Sequence, residues 1–91
     1  LNLNEEYICF TNLSDHPVDM TGWHVHHKPD TWYNFPVFIL DAGASVRLHS
    51  GREVDTATDL YWGSEEAIWR DIHDSAYLYS ADGKLMDEYS W

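Results

Sequence analysis

The segment SAYLYSADGKLMDEYSW, residues 75–91, decides the fold. Two runs rich in tyrosine and leucine flank SADGK (80–84), in which Asp82 and Gly83 are typical turn residues. Such a pattern predicts a β-hairpin, because both runs favour strands and the residues between them favour a tight reversal. The carboxyl end of the chain therefore predicts antiparallel β-structure.

Short runs of β-branched and aromatic residues, each bounded by turn residues, recur along the rest of the chain. They are EYICFTN (6–12), VDMT (18–21), WHVH (23–26), TWYNFP (31–36) and the run around Val46 and Leu48. In the first run Ile8 and Phe10 lie two residues apart, a spacing that places both side chains on one face of a strand. Val46 and Leu48 have the same spacing, and their side chains are expected to face inward, toward the core.

The connections between these runs are polar. Turns are expected at HKPD (27–30) and at residues 41–43, and a loop at residues 51–59, because these stretches are rich in Pro, Gly, Asp and Thr. Helical periodicity does not extend beyond two turns anywhere, although SEEAIWRDI (64–72) could form a short helical turn. Short strands at this spacing predict an all-β fold, a sandwich or a barrel.

The length and the charge narrow the functional classes. A chain of 91 residues supports a single domain. Its net charge of −11 arises from 16 acidic against five basic residues, a balance that repels nucleic acid and negatively charged membrane surfaces. Cations and basic peptides suit a negatively charged surface better than these partners do. An acidic composition is also typical of proteins from halophilic sources.

Three further features bear on cellular context. Cys9 has no second cysteine to pair with, and it is expected to be a small buried residue of a strand. No apolar run approaches the roughly 18 residues of a membrane span, so direct membrane insertion is not expected. The chain begins with Leu1 and shows no signal peptide, which suggests a domain excised from a larger protein.

Six segments in a fixed order resemble a lamin tail domain of the prokaryotic kind. They are NEEYICFTN (4–12), PVDMTGW (17–23), LDAGASVRLHSG (40–51), DTATDLYWG (55–63), AIWRD (67–71) and DSAYLYSADGKLMDEYSW (74–91). From first to last they span essentially the whole chain. The middle, HVHHKPDTWYNFPVF (24–38), departs from the family pattern in its histidines and aromatic residues.

The resemblance implies an immunoglobulin-like antiparallel β-sandwich. It also implies a non-catalytic module that needs no cofactor and that binds a protein partner or other domains of its parent chain. An extracellular or cell-surface location follows from the same resemblance. The nucleic-acid contact of some lamin tails is not transferred, because this chain lacks a basic face.

Histidines offer one set of candidate metal ligands. His24 and His26 are expected on one face of a strand with His27 turned away, and His49 on a neighbouring strand could add a third ligand for zinc. The spacing matches no known zinc motif, so ordinary exposed histidines are the preferred interpretation.

Carboxylates of the loop before residue 74 offer another set, since calcium prefers such ligands. Asp55 and Asp59 are the candidates, although the ligand spacing of a calcium-binding EF-hand loop is absent. Divalent-cation binding therefore stands as an alternative function. Catalysis is not expected, because the chain contains no nucleophile elbow, phosphate-binding loop or HExxH motif.

The aromatic stretch DLYWGSEEAIWRD (59–71) has two interpretations. Trp62 and Trp69 could bury their rings and anchor a long connection, with Tyr61 packed beside them. Alternatively, an exposed aromatic surface could bind a protein or a carbohydrate. The residues of such a surface would be Trp32, Tyr33, Tyr61 and Trp62. Anchoring is the preferred interpretation.

Overall fold

The computed structural model describes Leu3 and residues 5–28, 31–69 and 74–91, with Lys28 described by its backbone alone. The strands in these ranges are β1 (Tyr7–Thr11), β2 (Val18–Asp19), β3 (His24–Lys28), β4 (Thr31–Asn34), β5 (Ile39–Leu40), β6 (Ser45–His49), β7 (Asp59–Tyr61), β8 (Ser75–Tyr79) and β9 (Leu85–Ser90). Every secondary-structure element in the described ranges is a β-strand, which confirms the predicted all-β class. The described residues contain no helix that is long and apolar enough to cross a membrane.

Two compact units can be distinguished. The first unit, Leu1–Asp19 with Ile39–Ile68, contains a three-stranded sheet of order β1-β6-β7 and the pair β2-β5. β1 and β6 are antiparallel, whereas β6 and β7 are parallel. Val46 and Leu48 are buried as predicted, opposite Phe10 and Ile8 on β1. Alternate residues of these two strands therefore face the core of the unit.

Asn12 fixes the end of β1. Its buried side-chain amide donates hydrogen bonds to the carbonyls of His16, at 2.8 Å, and Leu40, at 3.0 Å. The backbone carbonyl of Asn12 accepts a hydrogen bond from Gly43, which has a φ of +73°. Glycine suits this position because other residues rarely adopt positive φ. The predicted turn at 41–43 is thus tied directly to the first strand.

The second unit, Met20–Phe38 with Trp69–Trp91, contains an antiparallel sheet of order β4-β3-β8-β9. Tyr33, Val25 and Leu78 lie opposite one another on three adjacent strands, and all three are buried. This row forms the centre of the buried face. The other face carries His24 and His26, because side chains alternate along β3.

The predicted carboxyl-terminal hairpin is confirmed. β8 and β9 pair from Ser75 opposite Ser90 to Tyr79 opposite Leu85. The backbone N–H of Ser80 donates to the carbonyl of Lys84 at 2.8 Å, which closes the turn. The register shifts by one residue near Tyr79, so β9 contains a β-bulge.

Other expectations are corrected or lie partly outside the described residues. Cys9 belongs to a strand as predicted, but its side chain is exposed, because it falls on the outward face between Ile8 and Phe10. The loop expected at 51–59 ends where β7 begins, at Asp59. No helical turn occurs at 64–69, and the rest of that prediction (70–72) lies outside the described residues, as does part of the turn expected at 27–30.

Candidate interaction surface

The aromatic stretch that begins at Asp59 is held mainly by backbone hydrogen bonds. The N–H groups of Trp62 and Ser64 donate to the carbonyls of His49 and Ser50, at 2.8 and 2.9 Å. These bonds extend the contact with β6 beyond the end of β7. The connection is therefore fixed along β6 in the first unit.

Glu6 secures the far end of the same connection. Its carboxylate accepts hydrogen bonds from the Ser50 hydroxyl and from the backbone N–H of Ile68, the latter at 2.8 Å. Ser50 is completely buried. An ionised acceptor makes these bonds stronger than neutral ones. Sequence reasoning missed this role, because Glu6 and Ile68 are 62 residues apart in the chain.

The two tryptophans of the stretch differ. Trp69 is buried, as expected of an anchor, and packs edge-on against His27 and Trp91 in the second unit, with ring centroids 4.9 and 5.8 Å apart. Trp62 is only partly buried. Trp69 is therefore a buried anchor of the connection, whereas Trp62 anchors it only in part.

His27 and Asp74 form a buried pair. His27 Nε2 lies 2.8 and 2.7 Å from the two carboxylate oxygens of Asp74. Both side chains are almost inaccessible to solvent. The backbone of Asp74 also exchanges two hydrogen bonds with Trp91, each 3.0 Å long. This pair fixes the chain at the point where β8 begins.

His24 and His26 share one face of β3, as predicted, and form an aromatic cluster with Trp32 and Tyr79. The His26 ring lies 3.3 Å from that of Trp32, and the His24 ring lies 5.5 Å from that of Tyr79, measured between centroids. Removal from water, and then the nearby His24, lower the pKa of His26 from its usual value of 6.5. The cluster therefore favours a neutral His26.

The candidate surface aromatics are not all on a surface. Tyr33 is buried against Phe35, with ring centroids 5.3 Å apart, so it does not belong to an exposed binding surface. Trp32 is exposed, because adjacent residues of β4 point to opposite faces. Tyr61 is partly buried and stacks on His49 at 4.6 Å.

The remaining candidate metal ligands have partners within the first unit. His49 is buried, and its Nε2 lies 2.7 Å from Asp59 Oδ1. Hydrogen bonds from Thr58 and then His49 lower the pKa of Asp59. Asp55 accepts a hydrogen bond from the backbone N–H of Tyr61 at 3.0 Å.

The arrangement of the candidate ligands does not support the metal-site hypothesis. Within the described ranges no group of three or more His, Cys, Asp and Glu side chains is arranged to hold a metal ion. His24 and His26 lie in the second unit, and His49, Asp55 and Asp59 in the first. Binding of a divalent cation or a carbohydrate stays a prediction.

β9 is the most exposed strand. It lies at one edge of the four-stranded sheet, and within the described ranges its one paired neighbour is β8. All six of its residues are exposed, including Leu85 at 45%, Met86 at 44% and Tyr89 at 68%. Large apolar side chains beside an unpaired strand edge are typical of a protein-binding surface.

β1 is also an edge strand, at one side of the three-stranded sheet. Its residues alternate between exposed and half-buried. The Arg47 guanidinium lies over one side of the ring of Tyr7, the large exposed aromatic residue of β1, 5.5 Å from the ring centre. β1 thus offers less apolar surface to a partner than β9 does.

These sheets define a small all-β module of the immunoglobulin-like sandwich class. The family model of the Lamin Tail Domain matches residues 2–91, and the chain belongs to this family. The match confirms the resemblance to a lamin tail domain and the predicted fold class, since lamin tail domains are immunoglobulin-like and form a non-enzymatic family. No curated protein matches the chain.

Proposed function

We propose that this domain is a non-catalytic accessory module that attaches a larger, exported protein to a protein partner or to another domain of the same chain. The observation that carries the proposal is β9, an edge strand exposed along its whole length. The family supports the same role, because immunoglobulin-like domains of this kind often mediate protein interaction.

The charge of the chain supports a protein partner over nucleic acid. With a net charge of −11, the domain lacks the basic surface that neutralises phosphates. β9 itself carries Asp87 and Glu88 between its apolar residues. The partner surface is therefore expected to combine apolar and basic side chains. An exported or cell-surface location is proposed on the family resemblance.

Photo-crosslinking within the parent chain tests this function. A benzoylphenylalanine at Met86, which is 44% exposed on β9, is compared with one at Val54, which is 82% exposed in the loop before β7. The proposal predicts a discrete crosslinked product from position 86 and none from position 54. Equal products from both positions, or none from position 86 in the source organism, would contradict it.

A further inference from the structure

The hydrogen-bonding pattern of the terminal hairpin shows which backbone groups of β9 face its open edge. Asp74 and Trp91 exchange both of their backbone hydrogen bonds, at 3.0 Å each. In an antiparallel ladder, bonded and non-bonded pairs alternate. Ser90 and Glu88, which lie opposite Ser75 and Tyr77, therefore occupy non-bonded positions and direct their N–H and C=O groups away from β8.

One of these outward groups is covered by a neighbouring side chain. The backbone N–H of Glu88 donates to Asp87 Oδ1 at 2.9 Å. The alternation directs this N–H away from β8, so the bond to the Asp87 carboxylate lies at the open edge of β9. Asp87 thus occupies the position where the carbonyl of an added strand would accept the bond.

Asp87 also ends the buried row of the sheet. Tyr33, Val25 and Leu78 lie opposite one another across three strands, and Asp87 lies opposite Leu78 on β9. The first three residues are buried and Asp87 is exposed. A charge at the edge of a core face is a known protection against indiscriminate strand pairing.

We infer that β9 accepts an added antiparallel strand from a basic segment of the partner, and that Asp87 restricts this edge to such segments. The inference rests on the proposed function. A Lys or Arg placed opposite Asp87 attracts the carboxylate away from the Glu88 N–H, which then bonds to the incoming strand. A neutral or acidic segment leaves the carboxylate in place.

The occupant is a different chain rather than a second copy of this domain. Two copies bring together net charges of −11 each. Pairing β9 with its own copy around this position also places Asp87 and Glu88 near the same residues of the other copy, and like charges in such pairs are destabilising. Charge therefore favours a basic partner.

The register specifies the partner's order of residues. Antiparallel pairing places an apolar residue beside Tyr89, then a basic residue opposite Glu88, then a second basic residue opposite Asp87. Glu88 continues the row of Trp32, His26 and Tyr77 across the sheet, so the first basic residue extends this row. The expected segment is an apolar residue followed by two of Lys or Arg.

Binding of a blocked peptide, STVRKVTS, to the whole domain provides the first test. The matched peptide has Glu in place of both Arg and Lys. Reversal of two cross-strand charge pairs is expected to weaken binding by about tenfold or more. Equal affinity for the two peptides would overturn the charge requirement, and a dimer of the domain that excludes the peptide would identify a second copy as the occupant.

Backbone methylation separates strand addition from side-chain docking. One version of STVRKVTS is N-methylated at the arginine and at every second residue from it, and the other at the intervening residues. An added strand donates from one set only, so methylation of the arginine set abolishes binding and methylation of the other set is tolerated. If both versions bind equally while crosslinking at position 86 persists, β9 is a contact surface without strand addition. Strand addition is then disproved, whereas the proposed function is retained.

Asp87→Ala tests the restriction, with Glu65→Ala as the control of equal charge change in the other unit. Removal of Asp87 is expected to raise affinity for a neutral peptide, STVQQVTS, and to reduce the preference for STVRKVTS. Glu65→Ala should leave that preference unchanged. Thermal melts verify that both variants fold. An unchanged preference in folded Asp87→Ala would overturn the assigned role of Asp87.

Discussion

At the scale of single residues, His26 links the aromatic cluster of β3 to pH. Its pKa is lowered first by removal from water and then by His24, so the folded state resists protonation more than the unfolded state does. Below the usual value of 6.5, the unfolded chain binds a proton that the folded chain resists. Stability contributed by neutral His26 is therefore present above this pH and is lost as the pH falls toward the lowered pKa.

The corresponding prediction uses His26→Phe, which keeps an aromatic ring and removes the titration. Lowering the pH from about 7.5 to 5.5 should decrease the free energy of unfolding less in this variant than in the wild type. Urea denaturation at the two pH values measures the difference. His16→Phe is the control, because the His16 side chain is largely exposed. The same pH dependence in both variants would disprove the assignment to His26.

Trp69 provides a second prediction at this scale. Its buried ring contacts His27 and Trp91, so Trp69→Ala should lower the free energy of unfolding by about 3–5 kcal/mol. Trp62→Ala should cost less, since Trp62 is only partly buried. Urea denaturation followed by circular dichroism compares the two variants. A loss for Trp69→Ala no greater than that for Trp62→Ala would show that Trp69 is not an anchor.

At the scale of elements, the connection after β7 depends on Glu6. Glu6→Gln should weaken the hydrogen bonds to Ser50 and Ile68, with a loss of about 1.5–3 kcal/mol in the free energy of unfolding. The exchange of the Ile68 amide proton should also become faster. Glu5→Gln is the matched control, because Glu5 is exposed. The prediction fails if the two variants are equally stable and Ile68 exchanges at the wild-type rate.

The sequence predicted those elements whose signals are local. The hairpin at 75–91 and the inward pair Val46 and Leu48 follow from turn chemistry and two-residue alternation, and both were found. β7 was missed because its parallel partner β6 lies across a loop, and three residues carry too little periodicity to predict a strand. Element type was therefore more predictable than non-local pairing.

The candidate site was only partly predictable for the same reason. Alternation correctly placed His24 and His26 on one face of β3. Tyr33 is a candidate for an exposed aromatic surface by sequence because its aromatic character does not reveal its face, and the structure shows that it lies in the core. The hydrogen bond from the Glu88 N–H to the Asp87 carboxylate lies at the open edge of β9. The sequence does not specify which backbone groups of β9 point away from β8, so it could not predict this position.

At the scale of the whole molecule, the net charge of −11 should make stability depend on salt. Screening reduces repulsion among like charges, so the thermal midpoint should rise as sodium chloride increases from about 0.01 to 0.5 M. Replacing Glu65 and Glu66 with lysine should reduce this rise. A midpoint independent of salt, or a rise of the same size in the variant, would contradict an electrostatic origin.

Amide hydrogen exchange with the peptide STVRKVTS bound determines whether β9 is the strand through which the domain attaches. We expect slower exchange at Glu88 and Ser90, whose N–H groups face the open edge, and no change along β1 (Tyr7–Thr11). Protection along β1, or peptide binding without protection at Glu88 and Ser90, would contradict it.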